Sequence, residues 1–129
     1  MSIRAFERDW SENGYGLFAV ERLDDARFIG FAGLSQPTFL PEIMPAVEIG
    51  WRFVRQSWGR GYATEAARAV VDFGFRSACL REIVCIFQVA NQASARIAAK
   101  LGMAFDRETL DPTCGRSIRV YRAIKPNAH

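Results

Sequence analysis

Hydrophobic and polar positions change their period within one stretch, residues 47–66, around which the rest of the chain is arranged. Up to Phe53, apolar residues alternate with charged residues or glycine, and this period of two predicts a strand with one buried face. From Tyr62 onward the apolar residues recur at helical spacing. The pattern therefore predicts a strand over 46–54, a turn, and a helix over about 60–78.

The turn between this strand and this helix contains Gln56, Gly59 and Gly61. A glycine-rich turn that leads into a helix presents unpaired N–H groups and the positive end of the helix dipole, and such a turn can receive a phosphate or a pyrophosphate. The spacing also fits a second interpretation, in which the two glycines only relieve steric crowding in a tight connection. Both interpretations stay open at this point.

The remaining periodicities predict a mixed α/β domain that takes in the whole chain, residues 1–129. In chain order, the predicted elements are a helix over 2–13, a hairpin of strands over 17–23 and 28–34, a loop with three prolines over 36–45, a buried strand over 83–89, a helix over 92–101 with Asn91 as its N-cap, and two antiparallel strands over 103–109 and 117–124. A strand, a crossover helix and a second strand make a right-handed parallel unit, so the strands over 46–54 and 83–89 are predicted to be parallel.

The composition is that of a soluble globular domain. The 129 residues are 50% hydrophobic and 24% charged, and no apolar run approaches the roughly 20 residues of a membrane span. The amino terminus has no signal-peptide pattern. Three cysteines without metal-type spacing and a single histidine argue against a zinc site or a histidine-based triad and favour a reducing cytoplasm. A net charge of +3 spread along the chain disfavours nucleic acid as the main partner.

Four motifs follow one another in an informative order. They are Glu48-Ile-Gly-Trp-Arg52, Trp58-Gly-Arg-Gly-Tyr-Ala-Thr-Glu-Ala66, Asn91-Gln-Ala-Ser94 and Lys100-Leu-Gly-Met103. Over about residues 15–124 the chain resembles the GNAT superfamily of N-acetyltransferases, and the closest branch is the one that includes ribosomal-protein N-terminal acetyltransferases. The resemblance implies a three-layer fold with a mostly antiparallel central sheet, one splayed pair of parallel strands, and flanking helices.

The resemblance also implies acetyl-CoA as co-substrate, without a metal, held in a wedge between the strands over 46–54 and 83–89. The implied pyrophosphate site consists of the backbone amides around the turn, with one added hydroxyl: Gln56, Gly59, Arg60, Gly61, Tyr62, Ala63 and the hydroxyl of Thr64. Free N–H groups of the first strand are expected to pair with the pantetheine arm, which implicates Trp51, Phe53 and Val54. Asn91 and Ser94 match a second contact region beside the thioester.

The implied chemistry is direct attack of an amine on a thioester, which needs a base, donors for the oxyanion and an acid for the thiolate. Glu48 is the candidate base, and the alternative is a strand glutamate paired with Arg52. Ser94 is the candidate partner of the thiolate, and the alternative is a serine that satisfies backbone groups in the first helical turn. Asn91 is an N-cap, a cofactor contact or both. Many family members have a tyrosine acid where this chain has Ala98, which shifts weight to Ser94.

The front of the chain departs from the family, whose members usually begin with a further strand and helix. We expect this segment to be lacking, which would expose a sheet edge and part of the acceptor site, and a homodimer would cover them. The predicted function is a cytoplasmic N-acetyltransferase that acts in a ternary complex on a primary amine, either a protein amino terminus or a small molecule. The alternative is a truncated, non-catalytic module that binds CoA esters or a protein partner.

Overall fold

A computed structural model describes residues 2–5, by their backbone, and residues 14–126. The strands are β1 (Ser2–Ala5), β2 (Leu17–Glu21), β3 (Phe28–Ser35), β4 (Glu48–Phe53), β5 (Glu82–Gln88), β6 (Ala104–Leu110) and β7 (Ser117–Ile124), and the helices are α1 (Tyr62–Arg76) and α2 (Gln92–Lys100). In this part of the chain the seven strands form one sheet in the order β1-β2-β3-β4-β5-β7-β6. Neighbours are antiparallel except β4 and β5, which are parallel. The predicted mixed α/β fold is confirmed.

One face of the sheet is covered by α1, which lies close to the strands. Gly74 permits this approach, since a Cβ there would lie 2.7 Å from the Cδ1 of Ile83. Ile49, Ile83 and Val70 are almost completely buried at this interface, and each such aliphatic side chain stabilises the fold by about 1.5–3 kcal/mol. The helix therefore fixes the relative positions of β4 and β5. Neither α1 nor α2 is long and apolar enough to cross a membrane, and no other helix of the described residues is.

The opposite face of the sheet is covered in part by the loop predicted over 36–45. Leu40 and Ile43 are buried there against aliphatic side chains of β5 and β7. The carboxylate of Glu42 accepts a hydrogen bond from the hydroxyl of Thr109 at 2.7 Å. Apolar burial and this hydrogen bond attach the loop to the sheet, so the loop forms a wall of the molecule on this face.

The helix predicted over 2–13 is wrong for Ser2–Ala5, which form β1 and pair antiparallel with residues 18–21 of β2. The rest of that prediction, residues 6–13, lies outside the described residues. The edge of β2 offers unpaired backbone groups, and pairing with it outweighs a local helical spacing. A strand therefore precedes the hairpin and covers an edge that was expected to be exposed. The other predicted elements are confirmed, with ends that differ by no more than two residues.

Candidate active site

The parallel strands β4 and β5 separate shortly after they meet. Their register pairs Glu48 with Val84 and Ile49 with Cys85 and contains no further pair in the described structure, whereas β4 stays paired with β3 as far as Phe53. A cavity of about 320 Å³ opens where the strands part. We call it the wedge cavity, and its lining includes Glu48, Gly50, Trp51, Cys85, Asn91 and Ser94. The predicted splayed pair is confirmed.

Hydrogen bonds on the two sides of β4 show which of its backbone groups face the wedge cavity. The Val54 N–H donates to a carbonyl on the β3 side at 2.9 Å, and the Val47 carbonyl accepts from an N–H of β5 at 2.9 Å. Because successive residues of a strand direct their backbone groups to opposite edges, those of Trp51 and Phe53 point toward β5. The Trp58 indole N–H already bonds the Phe53 carbonyl at 2.9 Å.

The prediction of a free N–H at Val54 is wrong. Its N–H bonds the carbonyl of Ile29, and its own carbonyl accepts from the Ser57 N–H at 2.9 Å. Val54 is 41% exposed and lines a different cavity. Trp51 and Phe53 are therefore the two β4 residues whose N–H groups face the side on which the ladder with β5 has ended.

Glu48 lies at the closed end of the wedge cavity. Its carboxyl is mostly buried, and this burial raises its pKa from 4.5 to about 7. In the part of the chain that the structure describes, it forms no ion pair, so the alternative pairing with Arg52 is not formed. Burial, together with the nearby Glu48 charge, raises the pKa of the Cys85 thiol to about 12. Cys85 is therefore a neutral wall residue at physiological pH.

The turn before α1 depends on two left-handed glycines. Gly59 has φ of +78° and Gly61 has φ of +79°, a conformation that costs another residue type about 1–2 kcal/mol. A Cβ at either position would meet no atom within 4 Å. Glycine is therefore needed here for its left-handed backbone conformation, and not because neighbouring atoms would crowd a side chain. Gly61 is the N-cap of α1 and supplies no side-chain cap. The first-turn N–H groups are therefore available to a ligand.

A second cavity, of about 210 Å³, lies over this turn, and we call it the turn cavity. The predicted cofactor residues in its lining are Phe53, Gly59, Gly61, Tyr62, Ala63 and Thr64. Arg96 and Lys100 of α2 line the same cavity. An uncapped helix start beside two cations suits a pyrophosphate. Gln56 and Arg60 line instead a third cavity, on the side of the β2–β3 hairpin.

Asn91 and Ser94 meet at the start of α2. The Asn91 Oδ1 accepts a hydrogen bond from the Ser94 N–H at 3.0 Å, which confirms the predicted N-cap. Both residues line the wedge cavity, as Glu48 does. The Ser94 hydroxyl has no hydrogen-bond partner among the described residues, so it is available as a donor. Ala98 is fully buried and leaves the role of a tyrosine acid unfilled.

Two features of the site have no counterpart in the sequence analysis. One is the Trp58 indole, whose bond to the Phe53 carbonyl closes the outer end of β4. The other is the approach of Arg22 and Arg27, from the hairpin, to Arg60 of the turn. No local pattern signals either contact. Among the described residues, no group of three or more His, Cys, Asp or Glu side chains could hold a metal ion.

Comparison with known proteins shows the family to which this chain belongs. The model of the acetyltransferase (GNAT) domain matches residues 1–104, and the chain therefore belongs to the GNAT acetyltransferase family. The uncharacterized protein YkkB of Bacillus subtilis is 35% identical over 108 residues, which are 78% of this chain and 62% of YkkB. The uncharacterized N-acetyltransferase YoaA of the same organism is 29% identical over 100 residues, which are 78% of this chain and 55% of YoaA.

Solved structures give the same fold. The crystal structure of the acetyltransferase from Agrobacterium tumefaciens matches with a TM-score of 0.76 and 29% identity, over 91% of this chain and 65% of that one. This chain thus spans less than two thirds of each of these three proteins. The fold, the splayed strands and the glycine turn are those of an acetyltransferase domain.

Proposed function

We propose that this chain transfers an acetyl group from acetyl-CoA to a primary amine. The observation that carries the proposal is the position of Glu48, a buried carboxyl with a raised pKa at the point where β4 and β5 part. Titratable groups whose pKa is shifted by burial in a cavity are typical of catalytic sites. Family membership supports acetyl transfer as the type of reaction.

The cofactor is proposed to span the two cavities. The N–H groups around Gly59 and Gly61 and at the start of α1 hold its pyrophosphate, and the Thr64 hydroxyl adds a donor. The N–H groups of Trp51 and Phe53 bond the pantetheine arm in the manner of an added strand. This placement brings the thioester into the wedge cavity, which Glu48 and Ser94 line.

Glu48 is proposed as the general base. It takes a proton from the ammonium of the acceptor, directly or through a water molecule, and the free amine then attacks the thioester carbon. A pKa of about 7 lets a carboxylate accept a proton near neutral pH, where a pKa near 4 would leave it a weak base. As the C–N bond forms and the C–S bond breaks, the Ser94 hydroxyl donates a hydrogen bond to the departing thiolate. The proton that the attacking nitrogen loses neutralises the thiolate, so CoA leaves as the thiol.

The acceptor is proposed to enter from the face of the sheet that carries the 36–45 loop. Glu48 shares this face with Val84, because the two are register partners, and Val84 packs beneath the loop. Gly50, the next residue on this face, leaves open space where a side chain would stand. The proposed acceptors are a protein amino terminus, as in the ribosomal-protein branch, or a small-molecule amine, with the cytoplasm as the site of action. A homodimer stays a prediction, and the edge of β2 that it was expected to cover is covered by β1.

The test is a Glu48→Gln variant assayed for amine-dependent release of CoA. We expect wild type to release CoA with at least one amine from a panel of peptides and small amines, and the variant to be slower by roughly 10²- to 10⁴-fold. Calorimetric titration should give equal affinity of both proteins for acetyl-CoA. Glu108→Gln, at an exposed position on β6, is the matched control.

Two results would count against this proposal. Full turnover by Glu48→Gln would remove Glu48 as the base. Binding of acetyl-CoA by wild type without CoA release from any amine of the panel would favour the non-catalytic binding module.

A further inference from the structure

A third cavity, of about 240 Å³, lies between the turn of the β2–β3 hairpin, the end of β4 and the start of α1. We call it the arginine cavity. Its polar lining consists of Arg22, Arg27, Gln56, Ser57, Arg60 and Tyr62, and the two remaining lining residues are apolar. The lining therefore brings three arginine residues to one concave surface and contains no carboxylate.

The three arginines differ in their partners. Arg22 is held at the rim by Asp24, at 2.9 Å, and by Asp25, at 3.8 Å. Arg27 and Arg60 form no ion pair within residues 14–126. Like charges that converge without a counter-ion repel one another, and an anion between them relieves this repulsion. The cavity therefore carries an excess of positive charge, which favours the binding of an anion.

We propose that the arginine cavity binds a phosphate group. A phosphate offers several acceptor oxygens and up to two charges, so it can accept paired hydrogen bonds from guanidinium groups that approach from different directions, whereas a carboxylate satisfies one such fork. Arg27 approaches from the hairpin and Arg60 from the turn. Gln56, Ser57 and Tyr62 add neutral donors around them.

Two kinds of ligand carry such a phosphate, and the position of the cavity is compatible with both. Ser57 and Tyr62 line the arginine cavity and the turn cavity alike, so the two cavities adjoin. A phosphate on the ribose of acetyl-CoA could reach the arginine cavity from the turn, and this source rests on the proposed function. A separate phosphorylated ligand could occupy the cavity independently of it.

The first experiment titrates the full chain with inorganic phosphate by calorimetry, at constant ionic strength. Arg27→Gln and Arg60→Gln are each expected to weaken binding by roughly tenfold, because each removes a charge-assisted hydrogen bond. Arg76→Gln is the matched control, since Arg76 pairs with Asp72 at the far end of α1. The control should bind phosphate as wild type does.

The second experiment identifies the source by titration with acetyl-CoA and with its analogue that lacks the ribose phosphate. If Arg27→Gln weakens binding of acetyl-CoA and not of the analogue, the phosphate is that of the cofactor. If both variants bind acetyl-CoA normally but lose phosphate binding in its presence, the phosphate belongs to a separate ligand. If neither variant changes the affinity for phosphate or for acetyl-CoA, the inference is overturned. A wild type that binds phosphate but not acetyl-CoA would contradict the proposed function and leave this inference supported.

Discussion

Replacement of Glu48 by glutamine is expected to change stability in a way that depends on pH. Burial raises the pKa of this carboxyl from 4.5 to about 7, so the folded protein holds the proton more tightly than the unfolded chain does. Between these two pH values the folded state therefore binds more protons, and the stability of wild type falls as pH rises. From about pH 8 upward both states are ionised, and the loss is complete.

The size of this loss follows from the two pKa values. The difference between 4.5 and about 7, at about 1.4 kcal/mol for each pH unit, gives about 3–4 kcal/mol over the whole titration. Glutamine does not ionise, so the variant escapes this cost. Its amide still needs hydrogen-bond partners in the wedge cavity, and an unsatisfied group costs about 1–3 kcal/mol at every pH. The pH-dependent part of the difference between the two proteins is therefore the informative quantity.

Urea unfolding of wild type and Glu48→Gln between about pH 4.5 and pH 8.5 measures this quantity. Relative to wild type, the variant should gain about 3 kcal/mol as pH rises from about 4.5 to about 8, and nothing further above that. Glu108→Gln, with an exposed side chain, should show no such change. A difference between Glu48→Gln and wild type that is constant with pH would refute the assignment of a buried carboxyl with a raised pKa.

Two further predictions concern the strands and α2. Gly33 and Gly50 are cross-strand partners, but a Cβ on Gly33 would lie 2.5 Å from the Gly16 carbonyl oxygen, while one on Gly50 would meet nothing within 4 Å. Gly33→Ala should lower the free energy of unfolding by roughly 2 kcal/mol or more, and Gly50→Ala by much less; equal losses in urea unfolding would contradict this. Asn91→Ala removes the cap of α2 and should cost about 1 kcal/mol in the same assay, whereas an unchanged value would mean that the cap is not formed.

The part of the fold that could be predicted from the sequence is the part that depends on local signals. The strand before Gly59 and Gly61 and the helix after them differ in period, and the two glycines mark the change. Asn91 was identifiable as a cap because capping depends on residues three positions apart. By contrast, the backbone of Ser2–Ala5 forms a strand because β2 offers it an edge. That partner lies more than ten residues away along the chain.

The site was predictable to the same extent. Glu48 and Ser94 were singled out by motifs, and the structure brings both to the wedge cavity. The error at Val54 arose because a period of two shows alternation but not which parity faces β3 and which faces β5. That choice is set by the strand order of the sheet. The meeting of Arg27 with Arg60 also depends on how the hairpin packs against the turn.

The most direct test of the account is a calorimetric titration of the folded chain with acetyl-CoA, for wild type and for Gly61→Glu. The substitution places an anion at the uncapped start of α1, where the pyrophosphate is proposed to bind. Gly115→Glu is the matched control, because Gly115 has φ of +76° and equally open surroundings in the β6–β7 loop. We expect wild type and Gly115→Glu to bind with similar affinity and Gly61→Glu, still folded, not to bind. Equal binding by Gly61→Glu, or no binding by folded wild type, would contradict the proposed cofactor site.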